Sequence, residues 1–349
     1  MALQRKDLVT LGKQCLKMQP ATSFSFGGKS LNYTDVQDTF REELRALAPD
    51  YYTYQENLPK IFSLMTEIIS DVLPEKVISQ YGQFAEVKTY AQGTKPVFVQ
   101  KITTASKRRA KKFITKVGLA GIYEVFKLDG KSFEVPTSAF GGAAQIGFEE
   151  FLDGRVDLAD VLEIILEGLD EKIYLEIERA LKGAINDLPK ANTVAVNGFD
   201  EASMDNLLAI ADSYGKATIY CTYEFAATMI PAEGWASNEI KNQKWNNGYL
   251  GNFHGHNVIV LPQSYEDETN ENKVIDPRFA WIIPTGSEKP IKVALEGQTI
   301  MNEYVNKDLS REIQAYQKFG VVAMITNDIC VYYNTALSYR SYINAGAGI

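Results

Sequence analysis

The chain has 349 residues, with 36 Lys or Arg against 44 Asp or Glu, a formal charge of −8 and a pI near 5.1. Its composition, 45% hydrophobic and 23% charged, is that of a globular protein and excludes long disorder, collagen and a chain-long coiled coil. The acidic balance excludes a general duplex-DNA binder, whose affinity comes from neutralised phosphates, and two His with three Cys leave little material for metal or acid–base chemistry.

The first thirty residues offer little that would form a core of their own, and Gly27-Gly-Lys-Ser30 reads as a turn. It is not a phosphate loop, because the motif needs a Gly where Ser23 stands. Val36, Phe40, Leu44 and Leu47 fall at helical spacing and Pro49 stops them. A second helix is expected from Pro59 to Pro74, with Ile61, Leu64, Met65, Ile68 and Ile69 on one side. From Phe84 the pattern changes to short strands, 86–90 and 96–102 joined by Gln92-Gly-Thr-Lys95, then Phe133–Val135 after the turn Leu128-Asp-Gly-Lys131. Between them lies Lys107-Arg-Arg-Ala-Lys-Lys112. The segment 84–135 is too thin in apolar residues for a private core and reads as an extended two-stranded arm with a basic tip.

Leu158, Leu162, Ile165, Leu169, Ile173, Ile177, Leu181 and Ile185 recur every three or four residues and predict one long amphipathic helix over 157–185, capped by Asp157. After Pro189 an α/β alternation begins. Strands are expected at 193–196, 217–221, 257–261, 279–283 and 291–295, and helices at 204–213, with Ser203 as cap, and 223–230. Ile313, Ala315, Gln317, Phe319, Val321, Ala323 and Ile325 alternate at period two, predicting a long half-buried strand, with 329–333 expected to pair beside it.

Little of this carries chemistry. Cys15, Cys221 and Cys330 are far apart and read as reduced thiols, and Met1-Ala-Leu-Gln-Arg-Lys-Asp7 has no signal-peptide core. No stretch approaches the ~20 apolar residues of a membrane span, so the expectation is a soluble protein made in the cytoplasm. His254-Gly-His256 lacks the further ligands a zinc site needs and reads as two structural or surface histidines. No Gly-x-Ser-x-Gly elbow exists. No catalytic, cofactor or metal residue is therefore assigned. Charge is the stronger signal. Residues 86–131 hold 11 basic and 3 acidic residues, net +8, and residues 148–187 hold 4 basic and 12 acidic, net −8. This complementarity points to an arm of one copy lying over the long-helix region of a neighbour. The residues expected in that contact are Lys107, Arg108, Arg109, Lys111 and Lys112 on one side, and Glu149, Glu150, Asp153, Asp157, Asp160 and Glu163 on the other.

The order of elements resembles the major capsid proteins of tailed phages, the Hong Kong 97-like shell fold shared with encapsulins. The likeness covers about residues 31–340. It is carried by the run from Phe133 to Gly154 feeding the long helix, by Asn247-Gly-Tyr-Leu-Gly-Asn-Phe-His-Gly-His-Asn-Val-Ile-Val-Leu-Pro262, by Lys289-Pro-Ile-Lys-Val-Ala-Leu-Glu-Gly297, and by the strand from Ile313 to Asn327. The resemblance implies an α+β protein with an N-terminal arm (1–84) and an extended β-loop (85–132). It further implies a peripheral domain with a spine helix (133–189 and 311–349) and an axial domain (190–310). It also implies self-assembly in hexamers and pentamers into an icosahedral shell around double-stranded DNA. The expected partners are other copies of the chain, portal, scaffold and decoration proteins and DNA held non-specifically, with no membrane and no cofactor, in the virion and, during assembly, the host cytoplasm. An encapsulin-type compartment and an unrelated soluble α/β enzyme are the alternatives.

Overall fold

A computed structural model describes residues 4–18, 22–82, 84–100, 131–145, 158–230, 238–265, 268–284, 289–305, 311–324 and 328–340. In chain order the elements are α1 (Arg5–Lys17), β1 (Ser23–Phe26), β2 (Lys29–Asn32), α2 (Tyr33–Leu47), α3 (Tyr51–Tyr81), β3 (Ala85–Tyr90), β4 (Val97–Gln100), β5 (Lys131–Glu134) and β6 (Ser138–Gln145). Then follow α4 (Leu158–Ala184), β7 (Thr193–Val196), α5 (Glu201–Asp212), β8 (Ala217–Thr222), α6 (Tyr223–Thr228), α7 (Asn238–Asn247), β9 (Asn252–Phe253), β10 (His256–Leu261), β11 (Phe279–Pro284), β12 (Ile291–Val305), β13 (Arg311–Ala323) and β14 (Cys330–Asn334). The mixture of helix and sheet is the expected α+β class. Two units divide the chain.

Unit 1 comprises Met1–Val97, Glu134–Ile177 and Ile291–Val322. Its sheet runs β3-β12-β13-β6, with β12 parallel to β3 and β13 antiparallel to β6. β13 shows the expected alternation, burying Ile313, Ala315, Gln317 and Phe319. The first thirty residues have no core of their own, but the apolar face of α1 is buried by the next two helices. Leu8, Val9 and Leu11 of α1 are buried, and α1 packs on α2 and α3. Along that contact Arg5 pairs with Glu67 and Lys13 with Asp71, at 2.7 and 2.5 Å, and Lys17 pairs with Glu75. Gly27 and Gly28 both have positive φ (57° and 80°), the two-residue turn that joins β1 to β2. This matches the turn reading of that glycine pair.

α3 departs from expectation at both ends. It starts at Tyr51, where Asp50 accepts the Thr53 N–H at 2.9 Å, and continues through Pro59 and Pro74 to Tyr81. A proline inside a helix costs about 3 kcal/mol. Ile68, Ile69, Val72, Leu73 and Val77 around Pro74 are all buried, and each such side chain contributes about 1.5–3 kcal/mol. Burial outweighs the break.

α4 matches the predicted long helix to within a residue at each end. Its burial is wider than one stripe. Leu162, Leu169, Ile173 and Ile177 are buried as expected, but so are Val161, Leu166, Tyr174 and Leu175, and even Asp170 and Glu178. In unit 1, Tyr174 stacks on Tyr81 at 5.1 Å between centroids, and Asp170 faces Lys76 of α3 at 3.5 Å.

Unit 2 comprises Phe98–Phe133, Glu178–Pro290 and Ala323–Ile349. Its six-stranded sheet runs β7-β14-β11-β8-β10-β9, with β8 and β11 buried along their whole length. Met204, Leu207, Leu208 and Ala211 of α5 join Phe225 and Ala226 of α6, and Met229 just after it, over Ile219, Ala280, Ile282 and Tyr332. The Tyr332 hydroxyl accepts the Asp200 N–H at 2.8 Å and donates to the Gly198 carbonyl at 3.1 Å. α5 begins earlier than expected, because Asp200 and not Ser203 is its cap, accepting the Ser203 N–H at 2.9 Å. β14 does not pair with β13. It lies between β7 and β11 and is buried almost throughout, whereas β13 keeps one partly wet face. Sequence proximity proposed the hairpin; the demand for burial on both faces sent β14 to the other sheet. α7, a polar helix, was not expected at all.

Two outcomes test this packing. Ile173→Ala is expected to lower unfolding stability by about 2–5 kcal/mol, the usual cost of truncating a fully buried aliphatic side chain, as read by chemical denaturation. Burial holds the Asp170 carboxyl above its ordinary value of 3.8, against the pull of Lys76 and hydrogen bonds from Gln80 and Tyr81. The folded state therefore keeps that proton longer than the unfolded chain, and wild-type stability falls as pH rises above 3.8 through the raised value. Asp170→Asn lacks this loss, so its stability relative to wild type is expected to rise between pH 4 and pH 7; a fall over that range would mean that the Lys76 pair outweighs burial.

Candidate functional site

Of the residues expected at a contact between copies, Lys107, Arg108, Arg109, Lys111, Lys112, Glu149, Glu150, Asp153 and Asp157 lie outside the described residues. The remaining two differ from each other. Asp160 accepts from Arg41 Nη2 at 2.7 Å within unit 1, so part of its charge is already answered by its own chain. Glu163 is exposed one turn further along α4. Asp170 and Glu178 are likewise engaged, with Lys76 and Lys182. The −8 counted in the sequence is therefore not all presented outward.

Among the described residues of unit 1, Glu296 on β12 is a polar group with several partners. Its carboxylate accepts the Gly93 N–H at 2.9 Å and the Thr137 hydroxyl, with Lys318 at 3.8 Å. The Thr137 hydrogen bond, then the Gly93 amide, hold this carboxyl below its ordinary range. Gly93 follows β3 and Thr137 precedes β6, so both lie where the segment read as an arm meets the four-stranded sheet, whose edge strand β3 takes up the first residues of that segment. Between them the Val135 N–H donates to the Pro96 carbonyl at 2.9 Å, and Lys95 faces Glu134 at 3.2 Å. The Tyr90 hydroxyl donates to the Val97 carbonyl at 2.9 Å. One buried carboxylate thus ties together the points where the arm leaves and re-enters the sheet. On the same strand Lys292 is buried and faces Glu86 of β3 at 2.5 Å. Burial would raise the Glu86 carboxyl, but Lys292 and Lys88 lower it. The Thr299 hydroxyl donates to Gln317 at 2.8 Å, and Gln317 donates to the Glu296 carbonyl at 3.0 Å. The sequence signal was present in Ile291-Lys-Val-Ala-Leu-Glu296, where two charges interrupt a strand apolar on both faces, but its meaning depends on residues some 160–200 positions away.

Beyond this root, β4 and β5 form a two-stranded sheet. Phe98 is buried and stacks on Phe133 at 6.2 Å, while Val97 and Val99 on the other side are 44% and 62% exposed.

Among the described residues, several other groups that could offer chemistry already have partners. His254, in a left-handed turn (φ 45°), places Nδ1 2.7 Å from Asp205 and Nε2 3.0 Å from Glu201. The three residues are close enough to ligate an ion, but the carboxylates face opposite ring nitrogens. That is the arrangement of an imidazole bridging two acids; a metal would take one nitrogen and draw the acids to it. Burial pushes the Cys221 and Cys330 thiols up to about 12, in the second case helped by Asp328, so neither is a thiolate near neutral pH. A buried cluster in unit 2 is also self-contained. Asp276 meets Arg278 at 2.8 Å and Lys182 at 3.2 Å, Glu178 accepts the Asp276 N–H at 2.6 Å, and Tyr339 lies under both cations. Burial raises the Glu178 carboxyl, and the same burial, which alone would lower Lys182, is outweighed by Glu178 and Asp276. Among the described residues no helix is long and apolar enough to cross a membrane.

A sequence family described as "SPbeta prophage-derived putative capsid protein YonB" matches residues 32–332. No curated protein matches the chain. Among solved structures it is similar to the capsid of a native GTA particle, at 11% identity over 73% of this chain and 90% of that one, with a TM-score of 0.49. It is also similar to a virus-like particle from Pyrococcus furiosus, at 13% identity over 76% and 97%, with a TM-score of 0.44. A third likeness is to the holo-SrpI encapsulin complex from Synechococcus elongatus PCC 7942, at 10% identity over 75% and 89%, with a TM-score of 0.43.

Glu296→Ala is expected to leave a folded protein in which the Gly93 amide exchanges with solvent faster, as read by residue-level hydrogen exchange. The Glu296 carboxyl lies below its ordinary 4.5, so its contribution is present above that pH and is lost as pH falls through the lowered folded value. The difference between variant and wild type should therefore persist at neutral pH and close only in acid below 4.5.

Proposed function

The chain belongs to the YonB family of prophage-derived capsid proteins, and on that premise we propose that it is a major capsid protein which assembles into an icosahedral shell around the double-stranded DNA of a tailed phage. The family match over residues 32–332 carries this reading. In it the fold is of the Hong Kong 97 type, α4 is the spine helix, unit 1 holds the peripheral domain and unit 2 the axial domain. Residues 85–132 form the loop that reaches a neighbour. The chain works with copies of itself in hexamers and pentamers and with portal and scaffold proteins, and it is a component of the virion.

Three physical features support the reading. The reactive groups found are inert or internally paired, which suits a structural role. The net charge of −8 limits adhesion of DNA to the inner wall. The latched ribbon with outward Val97 and Val99 gives an element whose stability depends on a partner, as arms exchanged between identical subunits do. Docking of the basic run Lys107, Arg108, Arg109, Lys111 and Lys112 then falls to acidic groups left open on a neighbour's α4, of which Glu163 and Glu167 are exposed.

Negative-stain microscopy of the purified protein tests the assembly. Closed shells holding nuclease-protected DNA when produced in infected or induced cells are expected; a discrete monomer or dimer would overturn the shell reading. Shells loaded with a protein cargo in place of DNA would replace it with an encapsulin-type compartment. Replacing the five basic residues by Ser is expected to lower assembly yield and flatten its dependence on salt, and unchanged yield would remove the electrostatic docking.

A further inference from the structure

Trp245 is 90% exposed, the most exposed of the large hydrophobic side chains among the described residues. It sits on α7, whose other described side chains are Lys241, Asn242, Gln243, Lys244, Asn246 and Asn247, all exposed. Nothing in the packing of unit 2 needs an indole there. Its frame is nevertheless fixed. The helix ends where the Gly248 N–H donates to the Lys244 carbonyl at 2.9 Å. Gly248 (φ 75°) lies so close to Tyr223 that a Cβ would stand 2.1 Å from the phenol oxygen. Tyr223 meets Tyr249 edge-on at 6.1 Å, and Leu250 is buried immediately after. Tyr223, at the start of α6, is itself 50% exposed. The result is a pre-ordered aromatic anchor flanked by two lysines, the composition and rigidity of an interface hot spot.

The same unit offers a surface of opposite character. The outer face of α5 presents Glu201, Asp205 and Asp212 with Ala202 and Ala209, and the helix has no basic residue; Glu201 and Asp205 share His254, and Asp212 accepts the Ala217 N–H and lies 3.4 Å from His256, but the three acidic side chains stay 64%, 47% and 42% exposed. Small side chains leave room for an indole, and carboxylates at this spacing face lysines on a neighbouring helix. Patch and complement are different surfaces of one chain, so a contact between them is head-to-tail and repeats around a ring.

We propose that the Trp245–Lys241–Lys244 face of α7 docks on the acidic α5 face of a second copy, making this the ring contact of unit 2. The inference rests on the shell reading and names a partner surface that reading leaves open. An indole taken out of water this way removes about 150–250 Å² of apolar surface.

The test compares full-length wild type with Trp245→Ser and with the charge reversal Lys241→Glu/Lys244→Glu. Because all three side chains are exposed, the variants keep the wild-type circular dichroism and melting temperature. Each is expected to raise the critical concentration for assembly about tenfold or more, the range of a hot-spot truncation. Adding Asp205→Lys and Asp212→Lys to the charge reversal is expected to restore assembly. As a measurement free of any folding defect, the Trp245 share of wild-type fluorescence, obtained by difference from Trp245→Phe, should become shielded from iodide on assembly. Wild type that forms no particles sinks the shell reading itself. Wild type that forms particles while Trp245→Ser assembles equally well, or while Trp245 stays open to iodide, overturns this contact alone and leaves the indole to a different protein. Failure of the double reversal to restore assembly overturns α5 as the partner surface.

Discussion

A charge taken out of water must be met by an opposite charge or by hydrogen bonds, or the fold loses several kcal/mol. This constraint organises both units. In unit 1, Lys292 and Glu296 stand on β12 with apolar neighbours on both faces. Glu86 answers one, and Gly93, Thr137 and Lys318 answer the other. In unit 2, Asp276 and Glu178 meet Arg278 and Lys182 under Tyr339. Removing either member of such a set strands its partner, so each set fixes the elements that carry it in one register. The groups are held in place more firmly than apolar residues, which repack when a neighbour changes shape.

The Glu296 set matters most for function because of where its partners lie. A two-stranded ribbon has too little apolar surface to hold its own direction. In unit 1, where the chain leaves for the ribbon and returns from it, one carboxylate receives donors from both flanking segments. Val97 and Val99, next in the chain, are exposed. In the proposed assembly, ordering that base inside the subunit lowers the entropy lost when a neighbour covers the valines. The same logic applies to Trp245, whose helix end is pinned by Gly248 against Tyr223.

Charge counted along a sequence and charge offered to a partner are different quantities. The stretch 148–187 sums to −8, yet Asp160, Asp170 and Glu178 are each paired within the chain. The carboxylates that remain outward, such as Glu163 and Glu167, are fewer, and a partner feels mainly those. The histidines show the converse. His254 reads from the sequence as a structural or surface histidine, and in the fold it bridges Glu201 and Asp205 from a hairpin turn.

Periodicity alone determined the helices α2 and α4, the alternation of β13 and, apart from α7 and β9, the strand–helix order from β7 to β11, because a repeat of 3.6 or 2 residues is a local property that any apolar core must read in the same way. The absence of signature motifs was legible for the same reason, since a phosphate loop or nucleophile elbow is written in consecutive residues. The tertiary structure decided what sequence distance hides. It extended α3 through Pro59 and Pro74, because buried Ile68 to Val77 outweigh a local break. It sent β14 away from β13 into the sheet where both of its faces are dry. It supplied Glu296 with donors from positions 93 and 137. Local pattern states which residues avoid water; only the closed fold states which side chains are left facing each other once they have done so.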